Sequence, residues 1–159
     1  MSLSQSAAVQ IAAAQEYFNR STRSLTEQLS GFAPSAGMFT AAQQVAHVAQ
    51  TVEWFIEGAF RPEGFSMDFE AMDADVRKIT SLAEAREWLD RAFAAALRTV
   101  EGKSDAELRA PLPEGPIMGG LPRMAVFGAL TDHTAHHRGA LTVYSRLNGI
   151  TPPMPYMEM

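Results

Sequence analysis

Apolar side chains recur along this chain at intervals of three and four residues, the spacing that lines one face of an α-helix. From about Ser4 to Leu29, Ala, Gln and Leu dominate without Pro or Gly, and Gly31 and Pro34 then supply a stop, so helix one is expected there. Thr40 with Gln43 three residues on has the form of a capping box. Val45, Val48, Val52, Phe55, Ile56 and Ala59 follow at helical spacing up to Arg61-Pro62, which predicts helix two. Residues 61–80 mix Pro, Gly, Asp, Met and aromatic residues without a clean period and are expected to form a partly ordered crossover. Ser81 and Glu84 make a second capping-box signature, after which Leu82, Ala85, Leu89, Ala92, Phe93, Ala96, Leu97 and Val100 trace one face of helix three, closed by Gly102. A short helical turn fits Ser104 to Leu108, and the Pro- and Gly-rich stretch from Pro111 to Pro122 must be loop. Pro122 occupies the place of a first-turn proline for helix four, which runs to Asn148 and stops at Gly149 and Pro152-Pro153.

Four long helices without any alternating strand pattern predict an all-α protein, a four-helix bundle of one domain spanning residues 1–159. The long crossover between helices two and three lets the third helix run parallel to the second. Of the 159 residues 47% are hydrophobic and 19% charged, which suits one globular core, and the net charge of −5 without a Lys/Arg-rich run argues against nucleic-acid or anionic-membrane partners. Cysteine is absent, which removes disulfides, thiolate ligands and a cysteine nucleophile. The first residues, MSLSQSAAVQIAAAQ, have neither a basic flank nor a long apolar run, so a soluble, cytoplasmic protein is expected.

The candidate chemistry lies in helix four, where three of the four histidines crowd into DHTAHHRG. Val126, Leu130, His133, His137, Ala140, Tyr144 and Leu147 are spaced to share one face, which puts His133 and His137 on the stripe expected to meet the core. Two adjacent imidazoles inside a core need partners for their nitrogens. A metal ion shared between them would serve, and so would hydrogen bonds to backbone or to a nearby carboxylate. Thr134 and Ala135 stand where an HExxH protease would carry its glutamate, so that chemistry is excluded. His136 is turned about 100° from His137 around the helix and is expected outside the same coordination sphere. Arg138 admits an ion pair or a substrate anion, with the structural role favoured. His47 lies well away from the Val45–Val52–Ile56 stripe and taken alone would be a surface histidine, although Trp54 on the same flank implies that this side is covered.

The run LTDHTAHHRGALTVYSRLNGITPP, with AAQQVAHVAQTVEWF upstream, resembles the DinB/YfiT-like family of metal-dependent helical bundles, and the likeness covers nearly the whole chain. Members of that family bind a divalent metal through one histidine of helix two and an HxxxH pair of helix four. By resemblance the ligands here are His47, His133 and His137. Three neutral imidazoles leave a metal its full charge and an open position, as in catalytic zinc sites, and suit Zn, Ni, Cu or Fe(II). The expected cofactor is a divalent ion, Zn or Ni foremost, with Fe or Mn as further candidates.

The resemblance implies a metal-dependent enzyme that activates a small thiol or water for transfer or hydrolysis, acting on a small-molecule substrate, with a homodimer as the expected assembly. The competing reading is a non-catalytic metal- or ligand-binding bundle. A general base would separate the two, but Glu53 is turned about 120° from His47 and Asp132 about 100° from His133. The tail PPMPYMEM is expected to line a pocket or subunit contact, or to pack loosely on the bundle.

Overall fold

A computed structural model describes residues 1–157; Glu158 and Met159, the end of the tail, lie outside the described residues. The described residues are helical, with no named strand: α1 (Leu3–Thr22), α2 (Ala41–Phe60), α3 (Phe69–Arg77), α4 (Leu82–Glu101), α5 (Asp105–Arg109) and α6 (Ala125–Leu147), with a 3-10 turn at Glu27–Leu29. Four of these are long, and they pack in the cyclic order α1, α4, α2, α6 around a continuous apolar core. The amides of Ala42 and Leu82 both bond to Ser30, while Ile56 and Glu57 share a groove with Ala96 and Thr99, so α2 and α4 run in parallel. Tyr144 meets Gln44 and His133 meets Phe55, which makes α6 antiparallel to α2. The long connection carrying α3 is what permits the parallel pair. No helix among the described residues is long and apolar enough to cross a membrane.

Local signals account for most boundaries. The side chains of Ser2, Thr40 and Ser104 each accept the amide three residues on, and their own backbone N–H groups donate to the Gln or Glu side chain at that position, the complete capping box at α1, α2 and α5. Gly149, at φ 73°, turns the chain out of α6 in the left-handed conformation that a glycine adopts without steric cost.

Four expectations need correction, and each was overridden by a partner distant in sequence. Helix one ends at Thr22 rather than near Leu29, because the Arg86 guanidinium of α4 takes the carbonyls of Thr22 and Leu25 and the chain turns there to bury Leu25. Ser81 does cap α4, but Glu84 does not reciprocate; instead the first-turn amides of Leu82 and Ala83 are taken from outside the helix, by the Ser30 hydroxyl and the Glu27 carboxylate. The crossover is more ordered than its composition suggests. Asp68 caps α3, Val76 is buried, and the Gln43 amide binds the Arg77 carbonyl. Pro122 is not a first-turn residue of α6; it pairs with Pro111 in an isolated bridge, and the amides of Arg123 and Met124 are accepted by the carbonyls of Ala110 and Leu108, delaying the helix to Ala125.

The inner face of α6 also differs from the expected stripe. Val126, Leu130 and Tyr144 are buried as expected, but Leu147 is 59% exposed, and Phe127, Thr134, Leu141 and Ser145 complete the buried set. The core face is therefore rotated, leaving His133 and His137 on its margin, half-buried.

Candidate metal centre

The centre forms where α2 and α6 face each other. The α2 helix packs against α4, α6 and α3, so apolar side chains cover it on several sides rather than along one stripe. His47, a surface histidine on spacing alone but on a flank that Trp54 implies to be covered, is turned toward α6, as the family resemblance implies. His133 and His137 reach across from α6, where the four-residue spacing stacks them one turn apart. Their ring centroids lie 4.5 Å apart, with His47 at 5.1 Å from His133 and 4.7 Å from His137. One ring nitrogen from each of the three falls within 4.8 Å of the others. The Nε2 atoms of His133 and His137 face each other at 3.2 Å, a gap in which only one of them can carry a proton. Such a set could hold a metal ion.

Behind the imidazoles lies a buried polar chain that sequence reasoning missed. The Gln44 side-chain oxygen is 2.6 Å from His137 Nδ1, the Gln44 amide nitrogen donates to the Tyr144 hydroxyl at 3.2 Å, and that hydroxyl donates to the Phe39 carbonyl at 2.8 Å. Gln44 is 8% and Tyr144 2% exposed, so bulk water does not substitute for these partners. The available signal was weak: a glutamine one turn before His47 on a helix otherwise rich in Ala and Val, and a tyrosine two turns after His137.

Aromatic walls surround the cluster. Phe39 lies 5.3 Å from the His47 ring and carries the Arg77 guanidinium on its face at 4.9 Å, while Phe55 stands 6.3 Å from His133. Phe65 is wedged against α2 beside Phe55 and Trp54, an approach allowed only because Gly58 has no side chain; a Cβ there would collide with the near edge of the Phe65 ring. The Trp54 indole donates to the Ser66 carbonyl, which covers this flank as its size required.

Burial is the main cause of the electrostatic state of the three rings. It pushes His137 down to about 3 and His133 down to about 4, with the neighbouring imidazoles adding to the effect on both, and it lowers His47 against the opposing pull of Asp73. All three imidazoles are consequently neutral at pH 7, the form that ligates a metal.

Other residues singled out in the sequence lie elsewhere. His136 is exposed and touches only the edge of His137, with ring centroids 4.9 Å apart, and it does not join the cluster. Glu53 accepts from the Trp88 indole and, with its carboxyl raised by burial, lines a groove against α4, away from the histidines. Asp132 is exposed, and it acts on His133 only as a nearby charge. Arg138 lies over the Tyr156 ring at 5.7 Å on the α1 side of α6. There the tail closes a cleft of about 330 Å³ lined by Gln10, Ala13, Tyr17 and Thr131, so the pocket-lining expectation for the tail holds for its described part.

A family model described as the DinB superfamily matches residues 10–141, a span that includes His47, His133 and His137. No curated protein matches the chain.

Proposed function

Because the chain belongs to the DinB superfamily and gathers His47, His133 and His137 at one point, we propose that it binds one divalent metal ion through these imidazoles and works as a metal-dependent enzyme on a small thiol or water. The observation that carries this reading is the convergence of the three ring nitrogens within 4.8 Å. The facing pair of imidazoles fits the ion. Nitrogens about 2.0–2.1 Å from a tetrahedral zinc lie about 3.3 Å apart, close to the 3.2 Å between the facing Nε2 atoms of His133 and His137. No carboxylate joins the cluster among the described residues, so the bound ion would keep its full charge, and zinc or nickel is the expected occupant.

An ion held by three protein ligands supplies Lewis acidity at its open position, lowering the pKa of a thiol or water there. The chain's own contributions are distinct. Gln44 orients His137; Phe39 and Phe55 keep bulk water from the sides of the cluster, which strengthens electrostatic interactions inside it. The lowered affinity of the three rings for protons leaves them unprotonated and ready to bind through the physiological pH range. The non-catalytic reading draws its support from one observation, that Glu53, the most plausible base on α2, is committed to Trp88 on the α4 side.

The test is metal analysis of protein purified without a polyhistidine tag, followed by a thiol-transfer screen of the loaded protein with glutathione, mycothiol and bacillithiol. About one divalent ion per chain is expected, abolished by His137→Ala and largely retained in His136→Ala. A protein that cannot be loaded at neutral pH, or equal loss from both variants, overturns the ligand assignment. Silence across the thiol screen from protein carrying its metal favours the binding role. A homodimer and a small-molecule substrate belong to the same proposal, and light scattering on the loaded protein checks the first.

A further inference from the structure

The polar chain behind the histidines has a fixed direction. A backbone carbonyl can only accept, so the Phe39 oxygen must receive the Tyr144 hydroxyl proton at 2.8 Å. With its one proton committed, the Tyr144 oxygen can only accept from Gln44. The Gln44 atom that faces it at 3.2 Å is therefore the amide nitrogen. This settles the orientation of an amide whose two ends otherwise look alike. The Gln44 oxygen is left facing His137 Nδ1 at 2.6 Å, and an acceptor there requires a proton on Nδ1. A neutral imidazole with its proton on Nδ1 has a bare lone pair on Nε2, the atom turned toward His133 in the cluster.

We propose that Gln44 is a positioning residue: anchored through Tyr144 to the Phe39 carbonyl, it holds His137 in the Nδ1–H tautomer and so presents Nε2 to the centre before any ligand arrives. An isolated neutral imidazole prefers the opposite tautomer, so without the anchor part of the population would aim a proton at the ion. Burial makes the device stiff. At 8% and 2% exposure, neither Gln44 nor Tyr144 can exchange its partner for bulk water, and turning the amide over would set its oxygen against the Tyr144 oxygen, whose proton is committed to the Phe39 carbonyl. The Gln44 and Tyr144 contacts join α2 to α6 across a sequence separation of 100 residues, so the same bonds that set the tautomer also set the spacing of the two ligand-bearing helices.

The tautomer claim stands on hydrogen-bond direction alone; its consequence for affinity rests on the metal-binding reading above, and the two are measured separately. Long-range proton–nitrogen NMR of the histidine rings in chelator-treated protein at pH 7 reports which nitrogen carries the proton. Zinc affinity follows from competition with a chromogenic chelator, and circular dichroism checks each variant's fold. Wild type should show the Nδ1–H form at His137. Gln44→Leu should lose it and weaken zinc binding by about 10- to 100-fold. Gln44→Glu, whose carboxylate still accepts from Nδ1, should keep the tautomer and restore most of the affinity. Tyr144→Phe, nearly isosteric, frees the amide to rotate and should mix the tautomers, with less than a tenfold loss, which keeps the proposal testable should Gln44→Leu fail to fold. An Nε2–H ring at His137 in the wild type, unaltered tautomers in Tyr144→Phe, or zinc affinity of a folded Gln44→Leu within twofold of wild type overturns it. Wild type that shows the Nδ1–H ring but takes up no zinc sinks the metal reading while leaving Gln44's hold on the tautomer intact.

Discussion

The two long helices that flank α2 solve the same packing problem differently. Every buried residue of α4 is apolar: Leu82, Ala85, Leu89, Ala92, Phe93, Ala96 and Val100 follow the helical repeat without interruption. On α6 the apolar repeat lapses between Leu130 and Leu141, and over those turns the inner side presents Thr134 to the core and His133 and His137 to its edge. The Thr134 hydroxyl is satisfied by the Leu130 carbonyl one turn back, so the lapse leaves no orphan there. A helix that serves only stability can keep its period. One that carries a site gives up apolar burial where the chemistry sits, and local rules are expected to break at such places. The α2–α4 seam should then hold most of the fold's stability and the α2–α6 seam most of its ligand dependence.

The strongest way to break this contrast is Phe93→Ala. Phe93 is fully buried, and truncating such a ring costs about 3–5 kcal/mol through lost burial and the cavity left behind. Urea denaturation of the metal-free variant should show that loss, while the protein that remains folded keeps the stoichiometry of metal binding of the wild type. A Phe93→Ala protein that folds normally but no longer binds metal would show that the two seams are not separable.

The α4 side was almost fully legible in the sequence, since an unbroken repeat of Leu, Ala and Phe carries its meaning locally. Leu97 alone of the named face is only partly buried. The family and the histidine set were also legible, because HxxxH and the α2 histidine keep their spacing whatever surrounds them. What escaped was non-local. The end of α1 is decided by Arg86, 64 residues from Thr22, and no propensity scale sees that bond. Spacing along α2 taken alone leaves His47 at the surface; the covered flank implied by Trp54 and the family resemblance place it with the pair, and three helices do cover α2. The polar roles of Gln44 and Tyr144 exist only once α2 and α6 are side by side, so spacing along either helix alone carries no sign of them.

A second measurement sharpens the contrast through pH. In the unfolded chain the three imidazoles take their ordinary value of 6.5, whereas in the fold burial holds His133 at about 4 and His137 at about 3 and lowers His47 too. Below pH 6.5 the unfolded state binds more protons than the folded one, so stability present at neutral pH is lost as the pH falls toward 4 and then 3. The charges facing the rings are Asp73 on α3, Asp132 on α6, whose pull opposes the shifts, and His136, whose charge adds to them. The melting temperature of chelator-treated protein should therefore decline steadily from pH 7 to pH 4. Replacing His137 with leucine should flatten the decline, because its largest titrating contributor is gone. A profile that is level in the wild type, or equally steep in His137→Leu, would place the acid sensitivity outside the α2–α6 seam.

The smallest effect tests the start of α4. The Ser81 hydroxyl accepts the Glu84 amide at 3.2 Å and also donates to the Glu27 carboxylate, the largest of the contacts that hold that carboxyl below its usual range. Loss of a serine cap costs typically about 1 kcal/mol. Ser81→Ala should fall near that figure rather than above it, since Ser30 and Glu27 continue to hold the amides of Leu82 and Ala83 and the exposed Glu84 amide can turn to water. The α6 helix offers the control: it begins at Met124 without a side-chain cap, so Met124→Ala removes no capping bond. The urea midpoint of Ser81→Ala should shift slightly, that of Met124→Ala less, and metal binding should be unchanged in both. If Ser81→Ala altered metal affinity, a cap on the apolar side would be reaching the histidines through α2, and the division of labour between the two seams would have to be redrawn around that helix.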